Sequence, residues 1–242
     1  DRRMDERVVG HYARISNEAG FMTFCRAQLF PGFEDKTQFT EVELRDLFIM
    51  TQGDNLMCIQ DVKAVAIWWM KRWRWDPKGA ILSHMVMNCV QNLYTDLLTC
   101  HRQKKEELMQ DEDSGGELSE VEKKITKTAK SLSSYGNQQN KNVASLILNQ
   151  LRAHGVEVDP FDEDRLLFGF TNKVFNFKTG EFQPHFKFDY SIQNCGREWR
   201  EPTDEEVQKI KAVISSIQPN PEELKSLLSV LRSAMTGVRP EN

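Results

Sequence analysis

The sequence predicts an α+β fold, mostly helical, with two small antiparallel β units near 56–75 and 166–184 and a helical pair at the C-terminal end. Three observations carry this expectation. Apolar residues recur in pairs four apart from Ile81/Leu82 through Leu97/Leu98, the stripe of a long amphipathic helix. Short aromatic runs around Trp73/Trp75 and Phe175/Phe177 alternate as half-buried strands do, each beside turn residues. Two further stripes follow Thr203 and Asn220, both opened by helix-start signals.

In chain order, the first thirty-odd residues carry mixed charge and a Phe-Pro-Gly-Phe break at 30–33, and read as a lead-in segment. Thr40 with Glu43 forms a capping-box signature for a helix through Leu44, Leu47 and Phe48 that Gly53 stops. Leu56–Ile59 and Ala64–Met70 read as strands, Trp73 and Trp75 alternate against Arg72 and Arg74, and Asp76-Pro77-Lys78-Gly79 closes the unit as a turn. After the long helix comes a polar loop over Asp111–Glu117. A second helix follows with Lys123, Lys127 and Lys130 on one face and Ile125, Ala129 and Leu132 on another. A third turns Val143, Leu146, Ile147 and Leu151 inward and ends at Gly155. Leu166–Phe170, Val174–Phe177 and Phe182 onward read as strands, with Lys178–Glu181 as a hairpin turn and Phe175 and Phe177 on one face. The last two helices are expected to pack through Val207, Ile210, Ile214 and Ile217, and through Leu224, Leu227, Leu228, Leu231 and Met235 up to Gly237.

Composition narrows the function classes. With 39% hydrophobic residues, 14 Phe and 5 Trp, 242 residues can bury a core, and no apolar run approaches bilayer-spanning length, so no membrane partner is expected. Five scattered cysteines without a C-x-x-C pair argue against a disulfide framework or zinc ribbon, and suit a reducing intracellular compartment. The net charge of −4 hides segregation: six acids and no base between Asp111 and Glu122, then six Lys/Arg and no acid from Lys123 to His154.

Two stretches resemble one family. Gly53-Asp54-Asn55-Leu56, leading through Trp68–Asp76 into the long helix, resembles the N-terminal pattern of poxvirus-type helicase–primases, found among large DNA viruses and phages. Asn172-Lys173-Val174-Phe175-Asn176-Phe177-Lys178-Thr179-Gly180, continuing to Pro184-His185, is similar to that family's hairpin. Here Lys173 stands for the usual Gly, and Asn176-Phe177 for Asp-Leu. The resemblance spans about 40–242. It implies a helicase-associated module at 37–200, after a 1–36 lead-in, with 201–242 as a helical collar leading to a superfamily-3 AAA+ ATPase that forms a hexameric ring on DNA. It also implies DNA replication as the process, ATP and Mg²⁺ as ligands of the parent polypeptide, the chain itself and other replication proteins as partners, and a host cytoplasmic or viral replication compartment. The alternative is a free-standing module binding single-stranded DNA or a replication protein, with no enzyme attached.

No catalytic, cofactor or metal residue is expected in this chain. No G-x-x-x-x-G-K-[ST] loop occurs, so these residues alone are not expected to hydrolyse ATP. Cys89 and Cys100 lie eleven residues apart on one helix, about three turns, too far for one ion. His185 has no nucleophile or carboxylate beside it in sequence, so a structural role is expected. Candidate DNA contacts are Lys71, Arg72 and Arg74, where base and aromatic alternate, and Lys123, Lys127 and Lys130. For the first group, a hairpin with Trp in the core and Arg in solvent accounts for the same pattern and is preferred. For the second, a solvated helix pair facing acidic loops is an equal alternative. Candidate oligomer contacts are Leu224, Leu227 and Leu231.

Overall fold

The structure, a computed structural model, describes residues 14–59, 64–110, 115–157 and 159–236. Residues 1–13 of the lead-in, the acidic part of the expected loop at 111–114, and the stop at Gly237 lie outside these residues. The architecture is α+β and mostly helical, with two three-stranded sheets. The described residues divide into two compact units, 14–67 with 75–157, and 68–74 with 159–236.

In the first unit, helix α1 (Glu18–Leu29) is capped by the Asn17 side chain accepting from the Gly20 amide, and it buries Cys25. The reading of residues before 37 as a lead-in assigned no element here. Helix α2 (Glu41–Gln52) begins with the expected capping box: the Glu43 amide donates to Thr40 Oγ1 at 3.2 Å, and the Thr40 amide to Glu43 Oε2 at 2.8 Å. Strand β1 (Leu56–Cys58) pairs antiparallel with the start of β2 (Val65–Trp69) in the register Leu56↔Ile67, Met57↔Ala66 and Cys58↔Val65. Both are buried there, as continuous apolar runs predict.

Helix α3 (Ala80–Leu108) is the spine of this unit. The Asp76 carboxylate accepts from the Ala80 and Leu82 amides, both at 2.9 Å, and so satisfies donors that have no partner within the helix. Its expected stripe is the buried one: Leu82, Val86, Val90, Leu93 and Leu97 are at most 2% exposed. Helix α4 (Gly115–Ser134) returns antiparallel along α3, since Lys105 meets Glu122 while His101 meets Thr128. Gly115 and Gly116 open this helix instead of belonging to a loop. Its inward residues also differ from the expectation. Val121 and Thr128 are buried, Ile125 and Leu132 are half-buried, and Ala129 is exposed. The reason is the Thr128 hydroxyl, which faces His101 Nδ1 at 3.4 Å, so a polar residue occupies the inward stripe. Helix α5 (Asn137–Ala153) buries Val143 and Ile147 as expected and packs against α2 and α3.

In the second unit, strands β4 (Leu167–Gly169), β5 (Val174–Asn176) and β6 (Glu181–Gln183) form an antiparallel sheet with Phe168↔Phe175 and Phe175↔Phe182 in register. Gly180 closes the second hairpin at φ 76, a left-handed conformation that glycine adopts without a Cβ penalty. The tip of the Trp hairpin belongs here too. From strand β3 (Arg72–Asp76), Trp73 stacks on Tyr190 and meets Phe161 edge-on, and its indole N–H donates to the Lys187 carbonyl at 2.6 Å. Helix α6 (Asp204–Ile217) starts at the expected Thr203/Glu206 capping box, and α7 (Pro221–Thr236) follows and packs along β4. Neither helix contains a buried residue among those described, contrary to the expected packing.

Candidate nucleic-acid interface and assembly face

The Lys71–Trp75 alternation resolves into a core aromatic and an outer basic row. Trp73 is 2% exposed, so its ring is unavailable for stacking on a base. Met70 and Lys71 form the hairpin tip with φ of 50° and 62°, the primed geometry that matches strand twist, and Lys71 is exposed. Arg72 and Arg74 are half-buried. Arg74 Nε is buried without a hydrogen-bond partner among the described residues, and burial, helped by the neighbouring Arg72 charge, lowers the Arg74 pKa. Of this trio, Lys71 and Arg72 are the better placed to meet a phosphate.

Lys123, Lys127 and Lys130 are all exposed on one face of α4, at the i, i+4, i+7 spacing that aligns them. None forms an ion pair among the described residues. Their neighbours on the helix do: Lys124 Nζ is 2.7 Å from Asp35, and Lys105 reaches Glu122 at 2.7 Å. Those pairs take up acids that would otherwise face the basic segment, and the outer lysines remain directed to solvent.

Both C-terminal helices carry exposed apolar side chains. On α6, Ile210, Val213 and Ile217 are 57%, 57% and 68% exposed, and they fall on one side of the helix. On α7, Leu224 and Leu227 are half-buried, whereas Leu228, Leu231 and Met235 stand 45–50% exposed. The three candidate contacts therefore separate, with Leu231 available to a partner and Leu224 and Leu227 partly covered within the unit. Arg200 forks onto Glu206 at the start of α6, and this bond, with those from Thr203, holds the Glu206 carboxyl down to about 2.

The isolated chemical candidates acquire structural partners. His185 Nε2 lies 2.8 Å from the Phe170 carbonyl, which ties the end of the Phe hairpin to its start, and burial lowers its pKa. On α3, burial pushes the Cys89 thiol up to about 11, the opposite of what a nucleophile or metal ligand needs. His84 bonds Asn88 at 3.1 Å.

Two arrangements went unread in the sequence. The Gly53-Asp54-Asn55 turn is a socket for Arg14, whose guanidinium donates to the Thr51 carbonyl, Gln52 Oε1, Asp54 Oδ2 and Asn55 Oδ1 at 3.0–3.1 Å. A cavity of about 370 Å³ adjoins that turn, lined by Phe21, Met50, Met57 and Leu151 with Asp54 and Gln150. In the second unit, the 191–199 segment braces the Phe sheet. Asp162 accepts from the Ile192 and Gln193 amides, Asn172 exchanges two bonds with the Trp199 backbone, and a Cβ on Gly169 would meet the Gln193 carbonyl at 2.4 Å. The glycine in β4 was the only local sign of that close approach.

No curated protein matches the chain. The family model described as D5 N terminal like matches residues 43–219, from the first turn of α2 past the end of α6, and takes in the Asp54-Asn55 socket, the Trp hairpin and the Phe sheet. The chain therefore belongs to the D5 N terminal like family, the N-terminal domain of D5-type viral helicase–primases.

Proposed function

We propose that this region is the non-catalytic mount of a viral replicative helicase–primase: it positions and helps assemble an ATP-driven ring and contacts the DNA that the ring acts on. The observation that carries the assembly part is the uncovered apolar stripe of α6 and α7, with Ile210, Val213, Ile217, Leu228, Leu231 and Met235 between 45% and 68% exposed. Covering a Leu or Ile side chain is worth roughly 1.5–3 kcal/mol, so exposed apolar side chains on one face of each helix favour a partner surface over solvent. A second copy of the chain is the occupant that fits ring assembly, through a head-to-tail contact repeated around an axis. ATP and Mg²⁺ belong to the parent polypeptide in this reading, which assigns no catalytic step to these residues.

The DNA part is supported by the exposed Lys123, Lys127 and Lys130 on α4, with Lys71 and Arg72 at the Trp hairpin as a second contact. Each phosphate neutralised releases a counterion and steepens the dependence of affinity on salt.

Solution mass tests the assembly. Leu228→Asp with Leu231→Asp is expected to lower the mass of the assembled species in light scattering, with the circular dichroism melt unchanged. An unaltered assembly mass would remove α7 from the interface.

A further inference from the structure

The two faces of the β4–β5–β6 sheet differ sharply. One carries Gly169 and Val174, both buried, against the 193–195 backbone. The other carries Phe168, Phe170, Phe175, Phe177 and Phe182, to which Trp199 is added by stacking on Phe182 at 4.0 Å and 22°. Successive rings lie 4.8–5.9 Å apart from Phe177 through Phe175 and Phe182 to Phe170, a continuous aromatic layer. Even with α7 packed along β4, none of the six rings is buried. Six connected aromatics that each keep part of their surface in water are an unusual way to build a small core, because closing the layer would remove more apolar area from water.

The surrounding charge identifies the occupant. Within residues 165–200, Lys187 is buried and Arg200 is paired with Glu206, which leaves Arg165, Lys173, Lys178 and Arg197 exposed beside the exposed acids Glu181 and Glu198. Exposed Lys173 and Lys178 flank the two ends of β5. Exposed Arg197 is held beside the first hairpin by the Thr171 amide donating to its carbonyl, just before Trp199. We propose that this aromatic layer with its basic rim is a stacking platform for single-stranded nucleic acid, the bases resting on the phenyl and indole faces and the phosphates on Lys173, Lys178 and Arg197. A hydrophobic protein segment would match the rings but not Lys173, Lys178 and Arg197 beside them. The proposal deepens the DNA-contacting role above and names a surface separate from the α4 lysines.

The experiment uses the 242-residue chain and fluorescence anisotropy with two probes of equal length, an oligothymidylate and an abasic deoxyribose-phosphate strand. The protein is expected to bind the thymidylate at least fivefold more tightly, since stacking requires bases. Phe175→Leu with Phe182→Leu, which keeps apolar volume and loses the π faces, is expected to abolish that ratio. Trp199→Leu, at the layer's edge, repeats the test if the double variant melts early. Lys123→Ala, Lys127→Ala and Lys130→Ala together are expected to weaken both probes alike and leave the ratio standing. Equal wild-type affinity for the two probes overturns the platform while leaving the α4 contact intact. A ratio unchanged in the Phe or Trp variants overturns it as well, and no binding of either probe overturns both surfaces.

Discussion

Helix α3 and the pair α6–α7 are written in the same apolar pattern and end in opposite environments. Along α3, Leu82, Leu93 and Leu97 are at most 1% exposed, covered by α2, α4 and α5. Along α6 and α7, side chains of the same chemistry at the same spacing stand 45–68% exposed. An amphipathic stripe states that a face must be covered; it does not state by what. For α3 the cover is supplied within the same unit by the helices before and after it in the chain. For the C-terminal pair only part of the stripe, at Val207, Ile214, Leu224 and Leu227, is sheltered locally. The rest is the surface that the proposed assembly would cover.

The comparison breaks most visibly at Leu97. Leu97→Ala removes a fully buried side chain from α3 and leaves a cavity, so it is expected to cost 2–5 kcal/mol in urea unfolding. A cost below ~1 kcal/mol would mean that α3 is not the spine of its unit. Next in size is Asp54→Ala. It takes one charged acceptor from the Arg14 guanidinium, in a pair whose side chains are 10% and 12% exposed. A hydrogen bond to a charged group contributes roughly 1.5–3 kcal/mol, and a loss in that range is expected by the same measurement.

How legible these features were depended on how local their causes are. The capping boxes at Thr40/Glu43 and Thr203/Glu206, the α3 stripe and both hairpins were readable, because each is settled by residues within one or two turns of one another. The pairing of Phe175 and Phe177 on one face was readable from strand alternation alone, and the rings do meet at 5.0 Å. The Arg14 socket was not, since its partners lie 37–41 residues away and nothing local marks which arginine the turn receives. The inward face of α4 was misread because buried Thr128 interrupts the apolar period to face His101. The burial assigned to α6 and α7 failed for the reason that separates them from α3: periodicity carries no information about the covering partner.

His101 sharpens the contrast through pH. It is 1% exposed on α3, and its Nε2 lies 2.9 Å from the Glu34 carbonyl. Burial, with a further push from the Lys124 charge, lowers its pKa below the ordinary 6.5. The unfolded chain therefore binds a proton near pH 6.5 that the folded chain resists, and stability falls as pH drops below that value until the folded-state pKa is passed. His185 is shifted in the same direction, so His101→Gln is expected to flatten the acid limb of a stability–pH curve only in part. An acid limb unchanged in that variant would assign it to other groups.

The smallest expected stability change is the most discriminating one. Leu231 occupies in α7 the kind of stripe position that Leu97 occupies in α3, but it is 46% exposed. Leu231→Ala leaves no enclosed cavity in the isolated chain, so unfolding measured at a dilution where the chain is monomeric is expected to shift by no more than about 0.5 kcal/mol. At concentrations where copies associate, the same variant loses whatever the partner surface contributed, and the melting midpoint loses part of its rise with concentration. A large loss under dilute conditions would place Leu231 in a local core. The exposed stripe would then be a property of that core and not a seat for another copy.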